Sequence, residues 1–479
     1  MRVVVLLIAV TCTSWFWDDG QVLARSICVS RLAQEVNQIR QQALVPTTRL
    51  GVYAQTVTEP PLTLIDRDGG SAFIPASNQK ILTSAVGLSV LGGNYRIATS
   101  LMTELPVQGG EVQGNLWVIG RGDPTLTSDG GLKHLVRQLR LKGIRKIHGS
   151  IHLLNKLPST PLGQGWEPQD LHEYYAAPTS GFTLDENSHY WTVTPTRRGQ
   201  PVQFRWDFPH LVQGWRVENQ AITSPPNGSY TLTTSRPTEK VIRITGTMPE
   251  NSAPELGGVA IPDPEAYFRE RLLAELQAQG IEILHLDSVG KSPEPSVLLA
   301  QHLSPPLTEI LATINKDSNN LHAEQLLRIL ATTVNPVPPD TYTVGMGIIR
   351  QFLVDRGIDT TGLVIADGSG LSRYNLVTPK MVVAVLQIMA KNSLFRNSLA
   401  IAGRDGTLKR RFLRTILADN LRAKTGTITS ASALSGYVRS QGLGEIVFSI
   451  MINHTNQSTP SMRRVIDRIT LLLAHLQRC

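Results

Sequence analysis

The 479 residues exceed the size at which one hydrophobic core usually stops growing, so the sequence predicts two or more domains. Apolar residues make up 41% and charged residues 18% of the chain, a composition that excludes fibrous, low-complexity and largely disordered proteins. The formal net charge of +8 favours anionic surroundings, but the basic residues form no Lys/Arg-rich arm. We therefore predict no nucleic-acid partner, and peripheral contact with a membrane surface stays open.

The N-terminus has the pattern of an export signal. Arg2 precedes an apolar stretch at residues 3–10, which is too short to span a bilayer in a mature protein. A small-residue cleavage site is expected after Ala24, so residues 1–24 are predicted to be a signal peptide or an uncleaved anchor. A buried N-terminal strand is the alternative. Export to the periplasm or the cell envelope is the expected localisation.

Three cysteines occur, and removal of the leader would leave Cys28 and Cys479 at opposite ends of the chain. Both flank segments whose apolar residues recur at helical spacing. If these two helices pack side by side, a disulfide can form in an oxidising compartment; two free thiols are the alternative. No cysteine or histidine spacing suggests a metal site, and we predict neither metal nor cofactor.

The predicted elements divide the chain into two parts. Strand patterns at residues 50–57 and 62–65 precede a helix from Ile81 that is apolar almost all round, as a buried helix is. Short β-prone segments separated by Gly, Pro, Asn and Asp then fill the sequence to about residue 290. Helical and strand patterns return at residues 307–314, 321–333, 381–389, 434–440 and 446–453.

The sequence therefore predicts an α/β protein. Residues 25–95 and 291–479 would form one domain, and residues 96–290 a large β-rich insertion. A nested subdomain is expected within the insertion, near residues 155–235.

Ser77 and Lys80 open the apolar helix and form the first motif with chemical potential. Residues three apart share a helix face, so the hydroxyl and the amine can meet near the helix N-terminus. An amine whose pKa is lowered by burial can accept the hydroxyl proton and activate the oxygen as a nucleophile. A helix cap is the simpler interpretation of Ser77. The same four-residue form recurs at Ser288, but Gly and Pro surround it and no helix follows.

Two further motifs follow in order along the chain. Ser318 and Asn320 lie in a polar break between two apolar helical stretches, where an ordinary turn is the alternative. Lys424, Thr425 and Gly426 precede a β-prone segment. They suit an edge strand whose cation and hydroxyl bind a carboxylate, with the glycine leaving room for substrate.

The order Ser-x-x-Lys, Ser-x-Asn, Lys-Thr-Gly is that of penicillin-binding proteins and β-lactamases. The sequence resembles most closely the class C low-molecular-mass penicillin-binding proteins, a family of D-alanyl-D-alanine carboxypeptidases and endopeptidases. The resemblance covers essentially the whole mature chain. The segments that carry it are Pro75-Ala76-Ser77-Asn78-Gln79-Lys80, Gly122-Asp123-Pro124, Ser318-Asn319-Asn320, Asp367-Gly368-Ser369-Gly370-Leu371-Ser372-Arg373 and Lys424-Thr425-Gly426-Thr427.

This resemblance implies a transpeptidase-like domain, an antiparallel sheet flanked by helices, with a large insertion between the first and second motifs. It also implies that the terminal helices lie together, which supports proximity of Cys28 and Cys479. The implied substrates are peptidoglycan stem peptides, with β-lactam antibiotics as covalent inhibitors.

The family's chemistry implies a role for each motif residue. Ser77 would attack the carbonyl of the penultimate D-Ala while Lys80 accepts its proton. Ser318 would protonate the departing amine, and Asn320 would orient Lys80 and the substrate amide.

The third motif would bind and polarise the substrate. Backbone N–H groups of Ser77 and Thr427 would form an oxyanion hole, in which one donor typically contributes about 3 kcal/mol. Lys424 and Thr425 would hold the substrate carboxylate, and the Lys424 cation is expected to lower the pKa of Lys80.

Three further residues resemble a pocket for the peptide side chain. Asp170 and Tyr175 match positions that line the pocket for the free end of a diamino acid, and Arg373 matches the position that binds its carboxylate. A helix cap for Asp170 and a surface ion pair for Arg373 are the alternatives.

Two alternative functions are open to this sequence. A β-lactamase or esterase would use the same mechanism, but a long insertion would crowd a small-molecule hydrolase, and no Gly-x-Ser-x-Gly elbow occurs. A non-catalytic wall-binding or penicillin-sensing protein would keep the fold without turnover. The balance between removal of terminal D-Ala and cleavage of cross-links stays open, as does the oligomeric state.

Overall fold

The computed structural model describes residues 26–157, 163–285, 294–336 and 340–479. The predicted leader at residues 1–24 and the Ser288 segment lie outside the described residues. Within the described ranges, no helix is long and apolar enough to cross a membrane.

A six-stranded antiparallel sheet forms the centre of the first domain. Its strands are, in spatial order, Ala400–Ile401, Arg422–Ile428, Ala431–Ser440, Gly444–Asn453, Arg49–Thr56 and Thr63–Arg67. The short strand Ala400–Ile401 pairs only with Arg422 and Ala423 of the next strand. Residues 424–428 of that strand therefore lie along an open edge of the sheet. The Lys-Thr-Gly motif therefore occupies an edge, as its sequence predicts.

Helices cover both faces of this sheet. On one face, Val29–Ala43 and Thr459–Ala474 pack their apolar sides against the strands. A disulfide joins Cys28 to Cys479 beside the parallel pair of strands Ile27–Cys28 and Leu476–Gln477. The opposite face carries the helices Gln79–Leu91, Leu307–Ala312, Asn320–Ala331, Thr341–Val354, Pro379–Met389 and Ser393–Ser398.

The helix Gln79–Leu91, here called the Lys80 helix, lies inside this second layer. Every residue from Gln79 to Leu88 is buried, which explains why its sequence is apolar almost all round. It packs against Asn320–Ala331, here called the Asn320 helix, whose residues from Leu321 to Ala331 are also all buried. The first two motifs thus open two adjacent buried helices.

The insertion begins and ends on one antiparallel pair of strands. Ala98–Thr103 pairs with Val297–Leu303, so the chain leaves and re-enters the first domain at neighbouring points. Two helices, Lys133–Leu141 and Pro264–Ala278, share an apolar core with two four-stranded sheets. In spatial order those strands are Val297–Leu303, Ala98–Thr103, Leu116–Gly120 and Ile151–Asn155 in one sheet, and Glu282–Ile283, Lys146–Ile147, Glu111–Val112 and Val107–Gln108 in the other.

A second β-rich part is nested in the insertion. It has its own small core around Trp191, Val193 and Ile242. We propose that residues 25–95 and 291–479 form one domain and residues 96–290 the insertion, as predicted. We also propose that the nested part spans residues 188–260 rather than 155–235. Its strands are Ser188–Thr194, Gln203–Trp206, Arg216–Asn219, Ile222–Ser224, Thr233–Thr238, Val241–Thr245, Thr247–Pro249 and Glu255–Ala260.

Short helical turns complete the described chain. Two are wide, π-type turns, at Ser128–Leu132 and Thr313–Asp317. The others are 3₁₀ turns, at Ala76–Asn78, Pro168–Asp170, Tyr174–Ala176, Asp185–Asn187, Pro209–Leu211 and Gly406–Leu408.

Candidate active site

Ser77 lies in the 3₁₀ turn Ala76–Asn78, which leads directly into the Lys80 helix. The sequence predicted a helix start here, and the tighter turn still places Lys80 Nζ 3.0 Å from Ser77 Oγ. Ala76 has a φ of +46°, a conformation that non-glycine residues rarely adopt. The turn is therefore held in an uncommon geometry that directs the Ser77 hydroxyl at the amine.

The Lys80 amine is fully buried and surrounded by oxygen atoms. It donates to Asn320 Oδ1 at 2.6 Å and to the Ser369 carbonyl oxygen at 2.7 Å, in addition to its contact with Ser77. Burial lowers the pKa of Lys80 to about 7, although the carboxyl groups of Asp367 and Glu324 act in the opposite direction. A substantial fraction of this amine is thus neutral near neutral pH.

Lys424 is a second buried amine in the same site. Its Nζ donates to Ser318 Oγ at 2.7 Å and to the Thr425 carbonyl oxygen at 2.9 Å. Burial and then the Lys80 cation hold the pKa of Lys424 well below its usual range. Burial is thus the main cause of the lowered pKa of Lys80, and the effect of the Lys424 cation on that pKa stays a prediction.

Ser318 and Asn320 come from the break between Thr313–Asp317 and the Asn320 helix. Ser318 is left-handed, with φ 63° and ψ 32°, and Asn319 caps the helix by accepting from His322 N at 3.1 Å. Asn320 Nδ2 donates to the Tyr175 carbonyl oxygen at 2.8 Å. Asn320 thus connects Lys80 to the insertion.

A buried carboxyl group beneath Lys80 holds the loop that supplies one of its acceptors. Glu324 Oε1 accepts from the backbone N–H groups of Gly368 and Ser369, at 3.1 and 2.7 Å. Burial raises the pKa of Glu324 to about 8. Since the carbonyl of Ser369 faces Lys80, Glu324 fixes an acceptor of that amine.

Asp367 orders the rest of the same loop. It accepts from Gly370 N at 2.7 Å, Ser372 N at 2.6 Å and Trp166 Nε1 at 3.0 Å. Gly370 has a φ of +84°, and a Cβ there would lie 1.9 Å from the Ala76 carbonyl oxygen. Only glycine permits this loop to pack on the Ser77 turn.

The strand Arg422–Ile428 approaches the Ser77 turn from the other side. A Cβ on Gly426 would lie 2.7 Å from the Pro75 carbonyl oxygen and 3.2 Å from Asn78 N. The glycine therefore allows contact with the nucleophile turn, a reason other than the room for substrate that the sequence suggested. Thr425 Oγ1 donates to Thr407 Oγ1 at 2.8 Å on the open side.

The three motifs meet at one cavity of about 370 Å³. The predicted residues along its wall are Ser77, Asp170, Tyr175, Ser318, Asn320, Arg373 and Thr427. Lys80 and Lys424 lie beneath the wall, where Lys80 is hydrogen-bonded to Ser77 and Lys424 to Ser318. Thr425 and Gly426 lie on the strand between Lys424 and Thr427. The structure thus brings all eleven predicted residues together.

The side-chain pocket has a different pattern of contacts from the predicted one. Tyr175 OH donates to Asp170 Oδ1 at 3.0 Å, so these two residues are paired. Arg373 forms an ion pair with Glu167, which the sequence did not single out. In this structure Arg373 therefore forms an ion pair, which was the alternative to a role in substrate binding.

Sequence reasoning missed Glu324, Glu167 and the role of Asp367. A signal existed for Glu324, since it stands one turn after Asn320 on the inward face of a predicted apolar helix. No local signal marks Glu167, whose partner lies 206 residues away. In the described ranges, no group of His, Cys, Asp or Glu could hold a metal ion.

Comparison with known proteins gives a consistent match. The profile of the D-Ala-D-Ala carboxypeptidase 3 (S13) family matches residues 32–475. A D-alanyl-D-alanine carboxypeptidase of Actinomadura sp. (strain R39) is 33% identical over 432 residues, which cover 86% of this chain and 78% of the relative. The D-alanyl-D-alanine carboxypeptidase DacB of Haemophilus influenzae is 28% identical over 421 residues, 86% of this chain and 87% of the relative.

Solved structures match over a similar span. The crystal structure of penicillin-binding protein 4 (dacB) from Haemophilus influenzae covers 92% of this chain and 99% of its own, with a TM-score of 0.78 and 27% identity. The structure of the same protein complexed with a β-lactam covers 91% of this chain and 98% of its own, with a TM-score of 0.72 and 25% identity. The fold class implied by the resemblance is confirmed. The chain belongs to the D-Ala-D-Ala carboxypeptidase 3 (S13) family, and the predicted activity, that of a serine-type D-alanyl-D-alanine carboxypeptidase, is confirmed with it.

Proposed function

We propose that this enzyme hydrolyses the terminal D-Ala-D-Ala bond of peptidoglycan stem peptides through an acyl-enzyme on Ser77, with Lys80 as the base. One observation carries this proposal: the set of acceptors around Lys80. Asn320 Oδ1 and the Ser369 carbonyl oxygen can only accept, so they take both N–H groups of a neutral amine. The remaining lone pair then faces the Ser77 hydroxyl 3.0 Å away.

The acylation step follows from these contacts. Ser77 Oγ forms a bond to the penultimate D-Ala carbonyl carbon as its proton passes to Lys80. When the C–N bond breaks, the leaving amine takes a proton from Ser318, which recovers one from Lys424 at 2.7 Å. Water then attacks the ester carbonyl and loses a proton through Ser318 to Lys424, which the previous step left neutral. The bond to Ser77 Oγ breaks as Lys80 returns its proton to that oxygen, so the hydroxyl and both amines are restored.

Substrate binding is assigned to the edge strand and the cavity wall. Lys424 and Thr425 are proposed to attract the substrate carboxylate, and the backbone N–H groups of Ser77 and Thr427 to stabilise the oxyanion. Gly426 lets this strand lie against the nucleophile turn. Asp170, Tyr175 and Arg373 are proposed to receive the end of the peptide side chain.

β-Lactams are proposed as covalent inhibitors that acylate Ser77. The β-lactam complex of the Haemophilus influenzae protein supports this by analogy. A cell-wall substrate and the Cys28–Cys479 disulfide favour an exported enzyme that acts in the periplasm or the cell envelope. Cleavage of cross-links would use the same acyl-enzyme with a larger leaving group.

The test is release of D-Ala from a stem pentapeptide, followed by chromatography. Wild type should release D-Ala continuously, and Ser77→Ala should lose at least about 10³-fold in kcat. Ser89→Ala is the matched control, because Ser89 lies on the same helix, is exposed and should leave the rate unchanged. Release that survives Ser77→Ala would refute the assignment. A cross-linked dimer assayed in parallel measures the endopeptidase share, and fast release of hydrolysed penicillin would indicate a β-lactamase instead.

A further inference from the structure

One side chain of the insertion holds the segment that contains Ser318. Glu186 Oε2 accepts from Asn319 Nδ2 at 3.1 Å, and Glu186 Oε1 accepts from His322 Nε2 at 3.2 Å. Asn319 Oδ1 in turn accepts from His322 N at 3.1 Å, which caps the Asn320 helix. The three residues therefore form a closed ring of hydrogen bonds. Asn319, the member next to Ser318 in the chain, is held through both atoms of its amide.

Glu186 is charged in this ring. Burial acts to raise its pKa, but hydrogen bonds to the charged form, the strongest from His322, outweigh burial, so the pKa of Glu186 lies below its usual range. Tyr190 OH is a further donor, to Oε2 at 2.5 Å. A carboxylate can only accept hydrogen bonds, and those it accepts are stronger than bonds between neutral groups. The bond to Asn319 is therefore charge-assisted.

The turn that presents Glu186 has an uncommon backbone. Asp185, Glu186 and Asn187 have φ values of +51°, +54° and +49°, a region in which a run of non-glycine residues is rare. Asp185 anchors the turn, since it accepts from Ser128 N and from Tyr267 OH, both at 2.8 Å. Backbone strain of this kind persists only where the surrounding structure determines it. The insertion thus holds the Glu186 carboxylate in one position.

Ser318 occupies a position that needs such support. It is left-handed, with a φ of 63°, and lies between the turn Thr313–Asp317 and Asn319. Its hydroxyl accepts from Lys424 Nζ at 2.7 Å. The proposed proton transfer to the leaving amine runs through that hydroxyl, and a small displacement of a reacting group is costly to the rate. The bond from Glu186 to Asn319 is one residue away from the group that moves the proton.

We propose that Glu186 is a positioning residue that, through Asn319, keeps the Ser318 hydroxyl in place for proton transfer to the leaving amine. This inference rests on the proposed function and gives the insertion a part in the chemistry. Because Glu186 acts through a neighbour of Ser318, its effect is expected in the step that needs a proton donor. Attack by Ser77 depends on Lys80 instead and should be less sensitive.

Two substrates with the same acyl part and different leaving groups separate these steps. The first is an acyl-D-Ala-D-Ala peptide, whose leaving nitrogen must gain a proton as the C–N bond breaks. The second is its thioester analogue, in which sulfur replaces that nitrogen and departs as a thiolate without a proton, because the pKa of a thiol is only about 8.5. Both carry the same carboxylate and give the same acyl-enzyme. The ratio of their kcat/KM values, amide over thioester, therefore measures the contribution of the proton donor.

Ser318→Ala sets the scale of this measurement. It removes the proposed donor and should lower the amide-to-thioester ratio about 10²-fold or more. Glu186→Ala should lower the same ratio about tenfold, because the donor stays but is displaced. Glu186→Gln keeps an oxygen that can accept from Asn319 Nδ2, so it should recover most of the wild-type ratio.

Glu218→Ala is the matched control. Glu218 is a partly buried acid of the same insertion, but its carboxylate accepts from Arg216 and Arg243, at 2.7 and 2.8 Å. Its removal should leave the ratio unchanged even if it lowers the unfolding temperature. Equal losses on the two substrates in Glu186→Ala, or the same change of ratio in Glu218→Ala, would overturn the positioning role.

A second variant tests the same contact from its other end. Asn319→Ser keeps an oxygen that can cap the Asn320 helix but removes the amide that Glu186 binds. It should lower the ratio as far as Glu186→Ala does, and the double variant should lower it no further. If circular dichroism shows that Glu186→Ala does not fold, Asn319→Ser decides alone, and a wild-type ratio there would refute the inference.

Ser318→Ala also separates the two proposals. If it lowers the ratio while Glu186→Ala and Asn319→Ser do not, only the role of Glu186 is wrong. If wild type hydrolyses neither substrate, the proposed function fails and the inference with it. If Ser318→Ala leaves the ratio unchanged, the proposed role of Ser318 is wrong, and Glu186 has no proton transfer to support.

Discussion

Lys80 Nζ lies 3.0 Å from Ser77 Oγ although the two residues belong to different helical segments. Ser77 is in a 3₁₀ turn, and Lys80 is in the first turn of the α-helix that follows. A 3₁₀ turn has three residues per turn, so side chains three positions apart lie more directly above one another than they do in an α-helix. The contact on which the proposed chemistry depends is thus set by the junction between the two segments.

Acylation should depend on pH through Lys80. Burial lowers the pKa of this amine to about 7, and only its neutral form can accept the Ser77 proton. The second-order rate of acylation by a penicillin should therefore be constant at high pH and fall about tenfold per pH unit well below pH 7. Stopped-flow measurements between pH 5 and 9 would show this limb. A flat profile across that range would exclude Lys80 as the base.

Glu324 should matter both for stability and for rate. Glu324→Ala would leave the buried N–H groups of Gly368 and Ser369 without their acceptor and open a cavity, at a cost of about 2–4 kcal/mol. The acylation rate should fall as well, because the Ser369 carbonyl loses its support. Glu324→Gln keeps one acceptor oxygen, so its unfolding free energy and its acylation rate should fall less than those of Glu324→Ala. Chemical denaturation measures the first quantity and penicillin acylation the second. Equal losses in the two variants would contradict the role of the acceptor oxygen.

Gly426→Ala should disturb the nucleophile turn. Its Cβ would lie 2.7 Å from the Pro75 carbonyl oxygen, so the strand or the turn must move. We expect at least about a tenfold loss of acylation rate, since small displacements of reacting groups are costly. Gly70→Ala is the control, because a Cβ there meets nothing within 4 Å. Full activity in Gly426→Ala would show that the close approach is not needed.

The disulfide should stabilise the fold without contributing to catalysis. Cys28 and Cys479 lie beside the helices on one sheet face, while the Lys80 helix lies on the other. Replacing both cysteines by serine should cost about 2–4 kcal/mol of unfolding free energy and leave the acylation rate at 25 °C unchanged. Thermal unfolding with and without reductant measures the effect. Two titratable thiols in the oxidised protein would contradict the disulfide.

Local sequence patterns predicted much of this fold. The buried Lys80 helix, the terminal helices and the edge position of Lys424 follow from apolar periodicity and from residues near each element in sequence. The eleven site residues were named through ordered motifs and resemblance, and the structure places them around one cavity. Their roles stay predictions until they are measured.

The remaining features depend on contacts between distant segments. The pairing of Glu167 with Arg373 arises only when the insertion docks on the first domain. A motif suggests that Lys80 is buried but not how far burial lowers its pKa, since that depends on every segment packed around the amine. The proposed later start of the nested part rests on its shared core, since β-prone composition does not show which strands share one.

Intact-protein mass spectrometry after penicillin exposure tests the central claim most directly. Acylation opens the β-lactam ring without a leaving group, so wild type should gain the mass of one penicillin molecule. Ser77→Ala should gain nothing, while Ser89→Ala should react like wild type. An adduct that persists in Ser77→Ala would show that another residue is the nucleophile.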